Sequence, residues 1–264
     1  MVIDTDIRHR DAPRGVWLCV LRGLTAVFGI CSIAWAFFFV TVNRGEGPLM
    51  GAAGDILRGE TFGSAKLSEL KQQLDTTTIG ELRSATSDDV AVIRLRLLEM
   101  KLTEGAIQAG SPDLAELDAA FATALSRNPN NSFLWFADYW LARVRSDASN
   151  YAVRSLRMSY KTGPNEAWIA QRRNPVALAD FSSLPGDLVE QAVSEFVRLV
   201  QSGLSQDAAN ILAGPGWPLH QQLLSRLAPL DEADRYAMAR ELAHKNLDGA
   251  SVPGVPDERP SRPF

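Results

Sequence analysis

The sequence predicts an all-α protein in which one N-terminal transmembrane helix precedes a domain of paired helices. Three observations carry this. Residues 23–42 form a run of 20 without a charge, and at about 1.5 Å per residue this length matches a hydrocarbon core about 30 Å thick. From Val90 to Leu247 apolar residues recur at helical spacing, broken by Pro, Gly and Asn turns. No stretch alternates apolar and polar residues as a half-buried strand would.

Residues 1–22 are the expected cytoplasmic segment. They carry Arg8, Arg10, Arg14 and Arg22, whereas Arg44 alone follows the run closely. Positive charge stays inside, so the N-terminus is expected in the cytoplasm and the bulk outside. The run ends in Phe37, Phe38, Phe39 and Val40, not in the small residues of a cleavage site, which favours an uncleaved anchor. The expected location is the inner (plasma) membrane, single-pass, with the main domain periplasmic. Residues 43–86, rich in glycine up to Gly63, are expected to be a flexible tether containing a short helix over Lys66 to Leu74.

The helical domain is expected in two parts, residues 87–173 and 174–247. Its first helix follows Ser87 as cap, with Asp88 and Asp89 in the first turn. A second opens at Ser111-Pro112 and bears Leu114, Leu117, Phe121, Ala124 and Leu125 on one stripe. The third holds Phe133, Trp135, Phe136, Tyr139 and Trp140, too many aromatics for one stripe, so it is expected to be covered on more than one side and to centre the domain. A fourth ends at Gly163-Pro164-Asn165, and a fifth carries Trp168 and is expected to break at Asn174-Pro175. A longer helix after Pro185, short ones from Ser205 and Leu219 and a last from Asp231 complete the reading. Residues 248–264 are expected to be a disordered, Pro-rich tail.

Net charge is −4, divided into +2 over residues 1–44 and −6 beyond. An acidic outer domain is a poor match for a phosphate backbone, so nucleic acid is not an expected partner. Cys19 and Cys31 lie in or beside the apolar run, and His9, His220 and His244 are dispersed, so neither a disulfide framework nor a metal site is implied. Nucleophile-elbow, zinc-protease, phosphate-loop and dinucleotide motifs are missing from the sequence. No enzyme activity and no cofactor are expected. The alternative is an extracytoplasmic α-helical enzyme or a glycan-binding or sensing domain without a recognisable motif.

Pro129 and Pro164 lie 35 residues apart, each ending a helix and each followed by asparagine and a tryptophan-bearing helix. Counting back from Pro129 gives Ala124, Phe121 and Leu117; counting back from Pro164 gives Ser159, Leu156 and Ala152. Over about Val90 to Gln171 the chain thereby resembles a degenerate tetratricopeptide repeat (TPR) protein, with Trp135 where the next repeat's first-helix tryptophan belongs. Tyr139 stands where a small residue is usual, and Trp168 comes two positions early. The resemblance implies stacked helix pairs with a concave face for partner segments: a scaffold for protein–protein interactions in an envelope assembly such as secretion, polysaccharide export or membrane-protein biogenesis.

The candidate partner-binding residues are Trp135, Tyr139 and Trp168 in the repeat, a basic patch of Arg154, Arg157, Arg172 and Arg173, and Trp217 in its Gly-Pro-Gly-Trp-Pro loop. The patch could meet an anionic glycan, a lipid headgroup or an acidic peptide.

Overall fold

The computed structural model describes residues 28–29, 31–33, 35, 47–60, 62–76, 84–105, 111–145, 150–247 and 249–256, and among them every regular element is helical. Most of the expected span lies outside the described residues. Those within it, Phe28, Gly29, Cys31, Ser32, Ile33 and Trp35, are helical, and Phe28, Ile33 and Trp35 are exposed. Among the described residues no helix is long and apolar enough to cross a membrane.

Eleven α-helices are described from residue 47 onward: α1 Gly47–Leu57, α2 Ser64–Thr76, α3 Ser84–Thr103, α4 Pro112–Arg127, α5 Ser132–Val144, α6 Asn150–Thr162, α7 Ala167–Ala179, α8 Gly186–Gln201, α9 Ser205–Ala213, α10 His220–Ser225 and α11 Glu232–His244. Consecutive helices pair as hairpins, α3 with α4, α5 with α6 and α7 with α8. The first helix of each pair also meets the next first helix, α3 against α5, α5 against α7 and α7 against α9. The chain therefore forms a row of hairpins, an arrangement compatible with a helical repeat.

Two apolar clusters fill the row and meet at α5 and α7. Phe133, Phe136, Ala137 and Leu141 of α5 belong to the N-terminal cluster, whereas Tyr139 and Ala142 face the C-terminal one. Ile169 and Ala170 divide α7 in the same way. The excess of aromatics on α5 thus has the expected cause: the helix is covered on two sides. The stripe expected on α4 is buried throughout.

Four expectations change. The glycine-rich stretch after Arg44 is not a bare tether, because α1 buries Leu49, Ala52 and Ala53 and packs on α3. Its end is a Schellman motif, with Gly59 at φ +83°, Gly59 N–H bonded to Ile56 O and Glu60 N–H to Asp55 O. Ser87 does not begin a helix; α3 starts at Ser84, and Ser87 is buried within it.

Pro175 does not end α7, and the boundary expected between residues 173 and 174 falls inside that helix. Ile169, Ala170, Ala177 and Leu178 are buried on both sides of the proline, and the Asn174 amide is anchored to Ala192 O of α8 at 2.8 Å, so tertiary contacts override the local breaker. The tail, finally, begins ordered. Ala250 and Val252 enter the C-terminal cluster, and Arg235 Nη1 donates to Pro253 O at 2.8 Å; residues 257–264 are not among those described.

Candidate functional site

The row of first helices leaves a groove of about 390 Å³ walled by α1, α3, α5 and α7. The helical period explains its floor. Phe133, Phe136, Ala137 and Trp140 occupy positions i, i+3, i+4 and i+7 of α5 and all line it. Val92 and Leu95 of α3 and Val176 of α7 extend the apolar surface, and Ile56 and Leu57 close it from α1.

The rim is charged in both signs. Arg96 Nη1 donates to Glu99 Oε2 at 3.0 Å across one turn of α3, and Glu60 and Arg172 stand at the α1 end. Arg172 Nη2 donates to Leu57 O at 3.2 Å, its Nη1 to Trp168 O at 2.8 Å, and its guanidinium lies 5.6 Å from the Trp168 ring centroid. The last carbonyls of α1 are thereby all engaged, Gly54, Asp55 and Ile56 by the following backbone and Leu57 by Arg172. Trp168, 37% exposed, tilts against Phe133 with centroids 5.3 Å apart. Two of the candidate residues, Trp168 and Arg172, are therefore gathered at one end of the groove.

The others go elsewhere. Trp135 Nε1 donates to Pro129 O at 2.8 Å and ties α5 to its own entry turn. Tyr139 is buried, and its hydroxyl donates to Asp180, whose carboxylate also pairs with Arg143. Burial pushes the Tyr139 phenol up. Arg157 pairs with Asp187 of α8, with Nε at 2.7 Å and Nη2 at 3.0 Å, which raises the arginine and lowers the carboxyl. Arg154 is exposed on α6. Trp217 packs partly buried on the C-terminal cluster and stacks on His220 at 4.5 Å and 14°.

Arg173 is a correction to the expected basic patch: it is wholly buried. A guanidinium so placed needs a counter-charge and donors' partners on every side. Glu195 Oε1 accepts from Nε at 3.1 Å and Nη2 at 2.5 Å, Ser159 Oγ from Nη1 at 2.8 Å, and Gly163 O from Nη2 at 3.0 Å. Adjacent arginines on a helix point in different directions, so Arg172 faces out while Arg173 faces α6 and α8. The four arginines do not form one surface.

Sequence reasoning missed Phe136, Trp140, Val92 and Leu95 as groove residues. The signal was present in α5, where a second aromatic face remains after one is assigned to the core. Among the described residues no group of three or more His, Cys, Asp or Glu side chains is placed to hold a metal ion. Searches of family models, curated proteins and solved structures find no match to this chain.

Proposed function

We propose that this chain is a single-pass protein of the inner membrane whose helical-repeat domain lies on the periplasmic side and docks an extended segment of a partner in an envelope assembly, such as secretion, polysaccharide export or membrane-protein biogenesis machinery. The observation that carries the docking reading is the groove itself. Its apolar floor of Phe133, Phe136 and Trp140 suits alternate apolar side chains, and its rim of Arg96, Glu99, Glu60 and Arg172 offers polar register. The hairpin row is compatible with a helical repeat, which supports the likeness to tetratricopeptide repeats and the concave face that stacked pairs make.

The anchor reading is supported by the uncharged run 23–42 and by the arginines that precede it. The helical residues inside that run expose Phe28, Ile33 and Trp35, and the Ser32 hydroxyl turns back onto Phe28 O at 2.8 Å, so a polar group there is satisfied within its own helix. If the span ends at Val42, four residues separate it from α1. Such a link reaches about 15 Å, so packing of α1 on α3 holds the domain close to the bilayer.

Protease added to sealed inverted inner-membrane vesicles tests the orientation. The domain is expected to be spared there and digested in right-side-out spheroplasts; digestion in the inverted vesicles contradicts the proposal.

A further inference from the structure

From Gly47 to Gly54, α1 carries no polar side chain, yet only part of it faces the protein. Leu49, Ala52 and Ala53 are buried where the helix packs on α3, and Ile56 and Leu57 turn toward the groove. Pro48, Met50 and Gly51, around the helix from them, are exposed. A helix apolar on every side is expected to be covered on every side. Met50 is the plainest case. It is 52% exposed, and among the described residues from Gly47 onward the other exposed large hydrophobics, Tyr151, Trp168 and Tyr236, each carry a polar atom that water can satisfy.

The direction from which the chain arrives says what covers this face. The uncharged run 23–42 ends four residues before Gly47. A link of that length reaches about 15 Å, which keeps the first turns of α1 at the level of lipid headgroups. Charge begins only at the far end of the helix, and there it is mutually engaged: Arg58 pairs with Asp55 and, at 3.5 Å, with Glu60, while Lys66 stands 3.9 Å from Asp55. Attraction to anionic lipid is therefore not what holds the helix down; apolar contact is, and a neutral lipid surface suffices.

We propose that the exposed face of α1, at Pro48, Met50 and Gly51, is immersed in the boundary between headgroups and acyl chains, with a neutral phospholipid surface as its partner. Such helices sink by about 5–10 Å. The proposal rests on the reading of residues 23–42 as a membrane span and goes beyond it: α1 binds α3 with one face and lipid with the other, so the domain is fixed in orientation on the membrane and does not swing on a tether.

The test uses the full chain in phosphatidylcholine nanodiscs, with Cys19→Ala and Cys31→Ala removing the native thiols and a bimane fluorophore attached to Met50→Cys or, as a control, to Tyr236→Cys on α11. The Met50→Cys probe is expected to lose most of its emission to lipid bearing a doxyl group near the top of the acyl chain and little to aqueous iodide; the control should show the reverse. Doxyl quenching no greater at position 50 than at position 236 overturns the proposal. So does a probe at position 50 shielded from both quenchers, which would place a second protein copy on this face. Should Met50→Cys fail to fold, Gly51→Cys carries the same test, since nothing lies within 4 Å of a Cβ placed there. Alkaline carbonate extraction of native membranes separates this failure from that of the span: protein released by carbonate overturns both readings, whereas retained protein with a water-exposed position 50 overturns this one alone.

Discussion

Arg173 and Glu195, on the facing helices α7 and α8, form an ion pair with no solvent exposure, closed by a guanidinium nitrogen 2.5 Å from Oε1. The pair is the centre of a network that joins four helices, α5 to α8, across two hairpins. Ser159 of α6 passes the contact on by donating to Ser132 O of α5 at 2.8 Å, and the Tyr160 ring lies 4.1 Å beneath the guanidinium. Burial and the neighbouring Glu195 charge push the Tyr160 phenol well up, so it stays a donor. Arg173→Met is expected to destabilise the protein by about 3–5 kcal/mol, because it leaves Glu195 as a buried charge without its counter-ion. Arg173→Met with Glu195→Leu should recover part of that loss. Urea unfolding followed by far-UV circular dichroism reads both; a single variant within about 1 kcal/mol of wild type would contradict a fully buried pair.

Two glycines should respond to alanine in opposite directions. At Gly163 an added Cβ would lie 2.4 Å from Ser132 Oγ and 2.5 Å from its Cβ, where the α6–α7 turn crosses α5. Gly163→Ala is expected to cost about 1–3 kcal/mol through overpacking. At Gly51, inside α1, nothing lies within 4 Å of that position, so Gly51→Ala should stabilise by about 0.5–1 kcal/mol. Thermal midpoints check the signs.

The Asp88 carboxylate fastens α3 to the turn between α4 and α5. Its Oδ2 accepts from Asn128 Nδ2 at 2.6 Å and Asn131 Nδ2 at 2.9 Å, while Arg127 Nη1 reaches Ser87 Oγ at 2.6 Å. Asn131 also caps α5, its Oδ1 accepting from Leu134 N at 3.1 Å. Asn131→Ala is therefore expected to cost at least about 1 kcal/mol, the cap alone accounting for that. Hydrogen exchange at the start of α5 should rise in the variant; unchanged protection there would contradict the double role.

These particulars show what a one-dimensional reading reaches. The α4 stripe, the two-sided α5 and the helix start at Ser111-Pro112 are local signals and appear where the sequence places them, although the Ser111 hydroxyl turns to Asp113 and makes no capping hydrogen bond. The Schellman end at Gly59 was also written in the chain, but frequent glycines suggested a tether because the burial of Leu49, Ala52 and Ala53 depends on α3, some 40 residues on. Pro175 and Arg173 were illegible for the same reason: a helix held through its proline and an arginine drawn inward both depend on α8. Asp88 and Asp89 looked sufficient as first-turn acids, and the partners at Asn128 and Asn131 are long-range. In the groove, Trp168 and Arg172 were found by residue type, whereas Phe136 and Trp140 required knowing which face of α5 the core leaves over.

Stability should carry a pH signature from Asp138. Burial raises its carboxyl above the ordinary value of 3.8, against the opposing hydrogen bonds from Ser155 at 2.6 Å and from Tyr151, whose own phenol is pushed up to about 12 chiefly by burial. A raised carboxyl binds its proton more tightly in the folded chain, so this residue favours folding at acid pH. That contribution is lost as pH rises from 3.8 through the raised folded value. Asp113 and Asp187, lowered by Lys101 and Arg157, act in the opposite sense and are common to variant and wild type. The Asp138→Asn minus wild-type difference in urea midpoint should therefore grow in favour of the variant across that window and level off at neutral pH. A flat or inverted difference contradicts the assignment.

The docking claim is tested most directly by photo-crosslinking in native membranes, with a photoreactive residue placed in turn at Trp140 and Val92 in the groove and at Tyr236, exposed on α11, as a control. The account expects a discrete adduct from both groove positions, mapping by mass spectrometry to one extended segment of a membrane or periplasmic protein, and none from Tyr236. Equal labelling at all three positions, or no adduct from the groove, would contradict it.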